Sequence, residues 1–187
     1  QLIKGKREML TFVNQAKENG IALLQKTAAK DYNSVLGKSL QKGALLTVNK
    51  ILGVAIPFAT RNHFEVIELG NGYLKAKIPL KGNKNHIGTM YAGALFTLAE
   101  LPGGILSIFN FDSNYYPILK ELKMTYLKVA KTDVTVEFSL SKREIERIEK
   151  ESSEKGKSPF TLHGQLKDTE GNVVATSEAH YQVRKHP

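Results

Sequence analysis

One carboxylate in an otherwise apolar stretch is the residue best suited to chemistry. Glu100 is the only Asp, Glu, Lys, Arg or His between Gly88 and Phe111. An ionised carboxylate is costly to bury without a partner or water. Burial also raises its pKa, toward the range in which a general base works at neutral pH. A structural carboxylate that seals a dimer contact or caps a backbone group is equally consistent with this placement.

The loop before Glu100 supplies a second chemical element. Gly88 and Gly93 allow the backbone to approach a ligand closely. A helix is predicted to begin after Tyr91, and its first N–H groups have no acceptor within the helix. The helix dipole adds to their attraction for negative charge, so a carbonyl group placed there would be polarised as in an oxyanion hole. A glycine loop that only turns the chain is the alternative interpretation.

The helix that must position Glu100 is predicted over residues 91–109. Its residues are apolar on nearly every side, which is typical of a buried helix. Pro102 lacks the N–H that would bond to the carbonyl of Leu98, so we expect the helix to kink or loosen there.

Alternating apolar and polar residues predict a sheet around this helix. The predicted strands cover residues 63–69, 74–80, 119–130, 134–140, 160–167 and 173–183. Gly70-Asn71-Gly72 predicts a hairpin turn between the first two strands, and 168–171 a turn between the last two. The charged segment 142–157 is predicted to be a solvated helix or loop with ion pairs at i,i+4 spacing, namely Lys142–Glu146, Glu146–Lys150 and Arg147–Glu151. Exposed sheet edges favour pairing of two copies in a dimer.

The residues before the sheet predict a helical extension over 1–58 that packs on a main domain over 59–187. Apolar residues recur at helical spacing in two stripes, and Pro57 is expected to end the second. The stripes are Met9, Phe12, Val13 and Ala16, then Leu36, Leu40, Ala44, Thr47 and Ile51. A helix that lies on a membrane surface or binds a partner is the alternative.

Composition limits the remaining possibilities. The 187 residues include 41% hydrophobic and 24% charged residues, as in one ordinary globular domain. The net charge of +9 indicates either a solvated basic surface or an anionic partner such as a nucleotide-bearing substrate. Zinc-finger and RNP-like patterns and continuous Lys/Arg blocks are absent, so no nucleic-acid partner is expected. The longest apolar stretch, 43–60, is interrupted by Asn49 and Lys50, so no stable membrane insertion is expected.

Residue types that are missing exclude further classes. The chain has no cysteine, which rules out disulfides and thiolate nucleophiles and fits a cytoplasmic location. The histidines show no metal-ligand spacing, so no metal is expected. No Gly-x-Ser-x-Gly nucleophile elbow is present.

The motif Asn85-x-x-Gly88-Thr89-x-x-x-Gly93-x-x-Phe96-Thr97-Leu98-Ala99-Glu100 resembles the signature of PaaI-like hot-dog thioesterases. It is most similar to the DUF4442 / YiiD C-terminal-type branch. The segment 122–130 is similar to the superfamily's central strand, and the likeness covers about residues 60–185. The resemblance implies an α+β hot-dog fold, in which a long antiparallel sheet wraps around one central helix, with an N-terminal helical extension.

The resemblance also implies an activity and a set of site residues. It implies an acyl-CoA thioesterase in which Glu100 is the catalytic carboxylate, acting on a water or attacking the thioester itself. Asn85 would position the water or the thioester. The implied substrate-binding residues are Tyr91, Ala92, Gly93, His86, Gly88 and Thr89. No cofactor is implied beyond the coenzyme A of the substrate, and the implied assembly is a homodimer or a dimer of dimers (a homotetramer).

The chain departs from this family pattern at two places, one of which is Glu100, where Asp is more usual and which leaves the choice between nucleophile and base open. Those thioesterases usually have His-Gly-Gly where this chain has Tyr91-Ala92-Gly93, so an imidazole and one glycine are missing.

Two alternatives to the thioesterase function remain open. A dehydratase or hydratase on the same fold would use His86 with Glu100, although the usual Phe-Pro-Gly after the histidine is replaced by Ile87-Gly88-Thr89. A non-catalytic acyl-CoA-binding module would use Glu100 only structurally.

Overall fold

The structure is a computed structural model that describes residues 35–186, with side chains described from Lys42 onward. The first predicted helix, around Met9 and Phe12, lies outside the described residues. The described part divides between Arg61 and Asn62 into two compact units. The predicted packing of the extension on the main domain stays a prediction.

The first unit contains helix α1 (Val35–Ala55) and the short helix α2 (Pro57–Arg61). Helix α1 ends just before Pro57, as predicted, because the residue preceding a proline is disfavoured in helical conformation. Pro57 then opens α2, where its missing N–H needs no acceptor. Ala44, Val48 and Leu52 are buried and recur every four residues, so they share one face of α1.

The second unit is one antiparallel sheet with two helices. Its elements are β1 (Glu65–Gly70), β2 (Tyr73–Ile78), α3 (Ala92–Asn110), β3 (Tyr115–Tyr126), β4 (Val134–Ser139), α4 (Lys142–Lys155), β5 (Lys157–Lys167) and β6 (Val173–Lys185). The strand order is β1-β2-β4-β5-β6-β3, so β1 and β3 are the edges. Helix α3 packs on strands β2 to β6, and most of its residues are buried. The predicted α+β arrangement, a sheet around one central helix, is confirmed.

Helix α3 is also long and apolar enough to cross a membrane by length and composition alone. More than half of it is buried inside the unit. A core helix of a globular protein passes the same test, and the contacts of α3 with five strands are typical of such a helix.

The first hairpin forms at the predicted turn. Gly72 has φ 68°, and a Cβ there would lie 2.2 Å from the carbonyl oxygen of Leu140, so only glycine fits. The next inward-facing residues of β2, Leu74, Ala76 and Ile78, are fully buried, as predicted. Leu80, the last residue of the predicted strand 74–80, lies outside β2 and is only partly buried.

Strand β3 begins earlier and ends earlier than the sequence predicts. It starts at Tyr115 instead of Leu119 and includes Pro117, which an edge strand tolerates because one side of its backbone has no neighbour. It ends at Tyr126 because the N–H groups of Leu127 and Lys128 both donate to the Val174 carbonyl, which interrupts the regular hydrogen bonding between β3 and β6.

The charged segment after β4 is a helix, but it is only partly solvated. Ile148 and Ser152 are fully buried, and α4 contacts β5 and β6, so the prediction of a solvated excursion was wrong for this face. The predicted ion pairs Lys142–Glu146 (3.8 Å) and Arg147–Glu151 (2.8 Å) form. The predicted Glu146–Lys150 pair is absent from the ion pairs of the described residues.

Candidate active site

Glu100 lies in the middle of α3, between the buried residues Ala99 and Leu101. Its own side chain is partly buried, and burial raises the pKa of its carboxyl above the ordinary value of 4.5. Within residues 42–186, no hydrogen bond or ion pair to this carboxylate lowers the pKa again. A partly desolvated carboxylate without a cationic partner binds a proton more readily than an exposed one, which suits a general base.

The raised pKa of Glu100 predicts a pH-dependent stability difference. Ionisation of the partly buried carboxyl costs free energy in the folded state. The neutral carboxyl therefore contributes fully to stability below the pKa of the unfolded state, and this stability is lost as pH rises through the pKa of the folded state. We therefore expect Glu100→Gln to raise the thermal unfolding midpoint relative to the wild type at about pH 8, and much less at about pH 4. Calorimetry at both pH values measures this. An equal difference at both would contradict the electrostatic cause.

Tyr181 on β6 holds the backbone of Glu100. Its hydroxyl donates a hydrogen bond to the main-chain carbonyl of Glu100, and its ring stacks on Phe160 with centroids 5.2 Å apart. The ring also lies directly against Gly103, where a Cβ would come within 2.2 Å of a ring carbon. Burial raises the pKa of Tyr181, and the nearby charge of Glu100 raises it further. The hydroxyl therefore stays protonated and remains a donor.

The segment after Glu100 permits this contact. Helix α3 continues through Pro102 to Asn110, and both Pro102 and Gly103 are buried. The predicted kink or loosening at Pro102 stays a prediction, and the neighbouring Gly103 packs closely against Tyr181. The sequence placed Tyr181 only within the last predicted strand, 173–183. A glycine in a buried helix indicates that something approaches it, but not which residue does.

Two backbone N–H groups in the first turn of α3 have no acceptor in the part of the chain that the structure describes. Tyr91 caps the helix in extended conformation (φ −66°, ψ 136°), and its carbonyl accepts from the N–H groups of Ala94 and Leu95. The N–H groups of Ala92 and Gly93 donate to no acceptor among the described residues. Such groups at a helix start can bind a developing oxyanion.

Two tyrosines flank this turn. The ring of Tyr91 lies over Gly93, where a Cβ would be 2.4 Å from a ring carbon. The hydroxyl of Tyr126 donates to the carbonyl of Ala92 at 3.4 Å, and burial together with Tyr91 raises the pKa of Tyr126. Sequence reasoning missed Tyr126, because it lies 34 residues from Ala92 in the chain and comes next to it only through the fold of β3.

The side chain of Asn85 is used within its own loop. Its Oδ1 accepts from the N–H groups of Ile87 and Thr89, each at 3.1 Å, and its Nδ2 donates to Oγ1 of Thr89 at 2.9 Å. Gly88 completes the turn with φ 82°. The structure thus brings the predicted residues Asn85, Gly88 and Thr89 together. The role of Asn85 toward a water or thioester stays a prediction.

His86 in this loop is exposed. Among the described residues, no hydrogen bond or ion pair joins His86 to Glu100.

Hydrogen bonds place this loop beside the segment that follows β3. The N–H of Met90 donates to the Ala130 carbonyl, and that of Tyr91 donates to the Asn83 carbonyl, each at 2.8 Å. Large exposed apolar side chains occur on the loop, at the start of α3, at the end of β3 and in the segment after it, and we call this set the apolar rim. Its residues are Ile87, Tyr91, Phe96, Tyr126, Leu127 and Val129. Exposed apolar surface of this kind is typical of ligand or protein contact sites.

A hollow of about 320 Å³ occurs elsewhere, on the polar outer face of the sheet. Strands β4 and β5 line it with Glu137, His163, Gln165 and Lys167, among others. Neither Glu100 nor the loop borders it. Within residues 35–186, no group of three or more His, Asp or Glu side chains could hold a metal ion.

Comparison with known proteins identifies the family. Residues 46–183 match the family model described as Domain of unknown function (DUF4442). No curated protein matches the chain. A solved structure of a protein of unknown function from Pseudomonas aeruginosa, named a probable thioesterase, is 46% identical with a TM-score of 0.70. That match covers 73% of this chain and 92% of the other.

More distant solved structures share the fold. A thioesterase from Haemophilus influenzae is 14% identical with a TM-score of 0.60, and the match covers 75% of this chain and 90% of that one. A mutant of a thioesterase from Staphylococcus aureus is 16% identical with a TM-score of 0.57, with 68% and 98% covered. The chain therefore belongs to the DUF4442 family, within the hot-dog thioesterase-like superfamily.

Proposed function

We propose that this protein is an acyl-CoA thioesterase that uses Glu100 as a general base. One observation carries the proposal: a partly buried carboxylate with a raised pKa, unpaired among the described residues, lies on the same helix as two N–H groups at its start that have no acceptor in that part of the chain. The 46% identical relative is named a probable thioesterase, which supports the same reaction class.

In the proposed reaction, Glu100 accepts a proton from a water as that water attacks the thioester carbonyl. The N–H groups of Ala92 and Gly93 stabilise the negative charge that develops on the carbonyl oxygen. The tetrahedral intermediate then expels the coenzyme A thiolate, the C–S bond breaks, and Glu100 returns its proton to the sulfur. The products are the free acid and coenzyme A. Direct attack by Glu100 would instead expel the thiolate and form a mixed anhydride, which water then hydrolyses. If that water attacks the carboxyl carbon of Glu100, a single turnover in ¹⁸O-water leaves the label on Glu100 and releases an unlabelled acid.

The proposed substrate fits the charges around the apolar rim. Lys81 and Lys84 in the loop, and Lys128 and Lys131 after β3, are all exposed. Their ammonium groups would attract the phosphates of coenzyme A, while the apolar rim would contact the acyl chain.

The proposed assembly is a homodimer formed along β3. This strand is an edge of the sheet, and its inward-facing Leu122 and Met124 remain only half-buried in one chain. A second copy along β3 would complete the hydrogen bonding of the edge and cover these side chains. Residues Met90, Phe96 and Met124 would then border the space for the acyl chain.

Assay of thiol release tests the proposal. A panel of acyl-CoA substrates of increasing chain length is incubated with the protein, and the free thiol is measured. We expect saturable release that depends on chain length. Hydration of an enoyl-CoA without thiol release would identify a hydratase instead. Saturable binding with neither reaction would identify a binding module.

A further inference from the structure

The positive charge of this protein is concentrated before the hot-dog domain. Residues 1–61 contain ten Lys or Arg and three Asp or Glu, so they account for +7 of the total net charge of +9. No acidic residue occurs between Asp31 and Glu65. Helix α1 lies entirely within this acid-free stretch.

The exposed face of α1 mixes cations with aliphatic side chains. Lys42, Leu46, Lys50 and Val54 recur every four residues and are all exposed, Leu46 by 63% and Val54 by 54%. We call these four residues the α1 stripe. Ala44, Val48 and Leu52 form the opposite, buried face.

The α1 stripe differs from an ordinary solvated helix face. On α4, exposed lysines alternate with glutamates and form ion pairs such as Lys142–Glu146. On α1 no glutamate or aspartate is present to pair with Lys42 or Lys50, and the positions between them are aliphatic. The stripe is therefore complementary to a surface that presents negative charge beside hydrocarbon.

We propose that the α1 stripe docks on an anionic lipid bilayer, so that the protein binds membranes peripherally. Phosphates of the lipid headgroups would pair with Lys42 and Lys50, and Leu46 and Val54 would enter the boundary between headgroups and acyl chains. The phosphates of a nucleic acid would pair with the lysines, but a nucleic acid would offer no hydrocarbon surface to the exposed aliphatic side chains between them. This interaction is independent of the proposed thioester hydrolysis.

Vesicle flotation of the full-length protein tests this inference. Vesicles contain phosphatidylcholine alone or with added phosphatidylglycerol. We expect binding only to the vesicles with phosphatidylglycerol, and release at about 0.5 M salt, where screening shortens the range of the charges. Failure to bind phosphatidylglycerol vesicles at low salt would overturn the proposal.

Matched variants locate the contact. Removal of two cations by Lys42→Gln with Lys50→Gln is expected to weaken partitioning about 30-fold, or about fivefold per lysine. Lys142→Gln with Lys150→Gln on α4 removes the same charge elsewhere and is expected to change partitioning less than about threefold. Leu46→Ser with Val54→Ser should also weaken binding while net charge is unchanged.

Two results of these variants would contradict the proposal. Equal weakening by the α1 and α4 lysine pairs would mean that net charge alone, and not this face, drives binding. If the serine variant changes the oligomeric state but leaves partitioning intact, a second copy of the chain covers the stripe. Circular dichroism of each variant confirms that it is folded before comparison.

Discussion

Glu100→Gln is expected to lower the turnover of acyl-CoA thioesters by at least about 100-fold, the usual contribution of an essential general base. The amide keeps the size of the side chain but cannot accept a proton from water. Because the carboxylate has no ion pair or hydrogen bond in the described residues, its replacement should leave the fold intact. Steady-state thiol release measures kcat and KM, and the loss is expected in kcat.

The control for this change is Glu146→Gln. Glu146 is an exposed residue of α4, and the same substitution there should leave turnover within about twofold of the wild type, since exposed changes away from the site rarely matter. Near-wild-type turnover by Glu100→Gln would show that the carboxylate is structural. The proposed mechanism would then have no base.

Ala92→Pro is expected to lower kcat by about 100- to 1000-fold, the usual effect of losing one oxyanion-hole donor. Proline removes only the N–H of Ala92 and leaves the N–H of Gly93 in place. The helix should tolerate it, because Ala92 is the first residue of α3 and its N–H has no acceptor there. Tyr91, which precedes it, is already extended, as a residue before proline must be.

Lys142→Pro is the matched control for this variant. It makes the same change at the first residue of α4, after Ser141, which is extended with φ −65° and ψ 154°. We expect both variants to unfold at nearly the wild-type temperature, and only Ala92→Pro to lose thiol release. If Ala92→Pro is folded and fully active, the first-turn N–H groups do not bind the carbonyl oxygen.

The sequence predicted those parts of the fold that depend on local pattern. Leu74, Ala76 and Ile78 alternate with polar residues, and Gly70-Asn71-Gly72 permits a tight turn. The predictions of β2 and of its hairpin were therefore correct. The start of β3 and the buried face of α4 depend on tertiary contacts. Pro117 argues against a strand unless the strand lies at an edge. Ile148 in a highly charged segment does not reveal that β5 lies beneath it.

The same distinction applies to the candidate site. Glu100 could be singled out because an isolated charge in an apolar helix is unusual in itself. Tyr181 and Tyr126 could not, because each reaches α3 from a distant strand. The loop contacts of Asn85 could not be predicted either, since an asparagine side chain in a glycine loop can form hydrogen bonds to the loop backbone or face a ligand equally well.

The contact between Gly103 and Tyr181 restricts how relatives of this protein can diverge. Any side chain larger than hydrogen at position 103 would occupy the space of the tyrosine ring. The two positions should therefore be exchanged together during evolution, with a bulkier helix residue accompanied by a smaller strand residue. Such a paired exchange would also remove the hydroxyl that holds the carbonyl of Glu100. Homologues that have made it must secure that segment of the helix by other means.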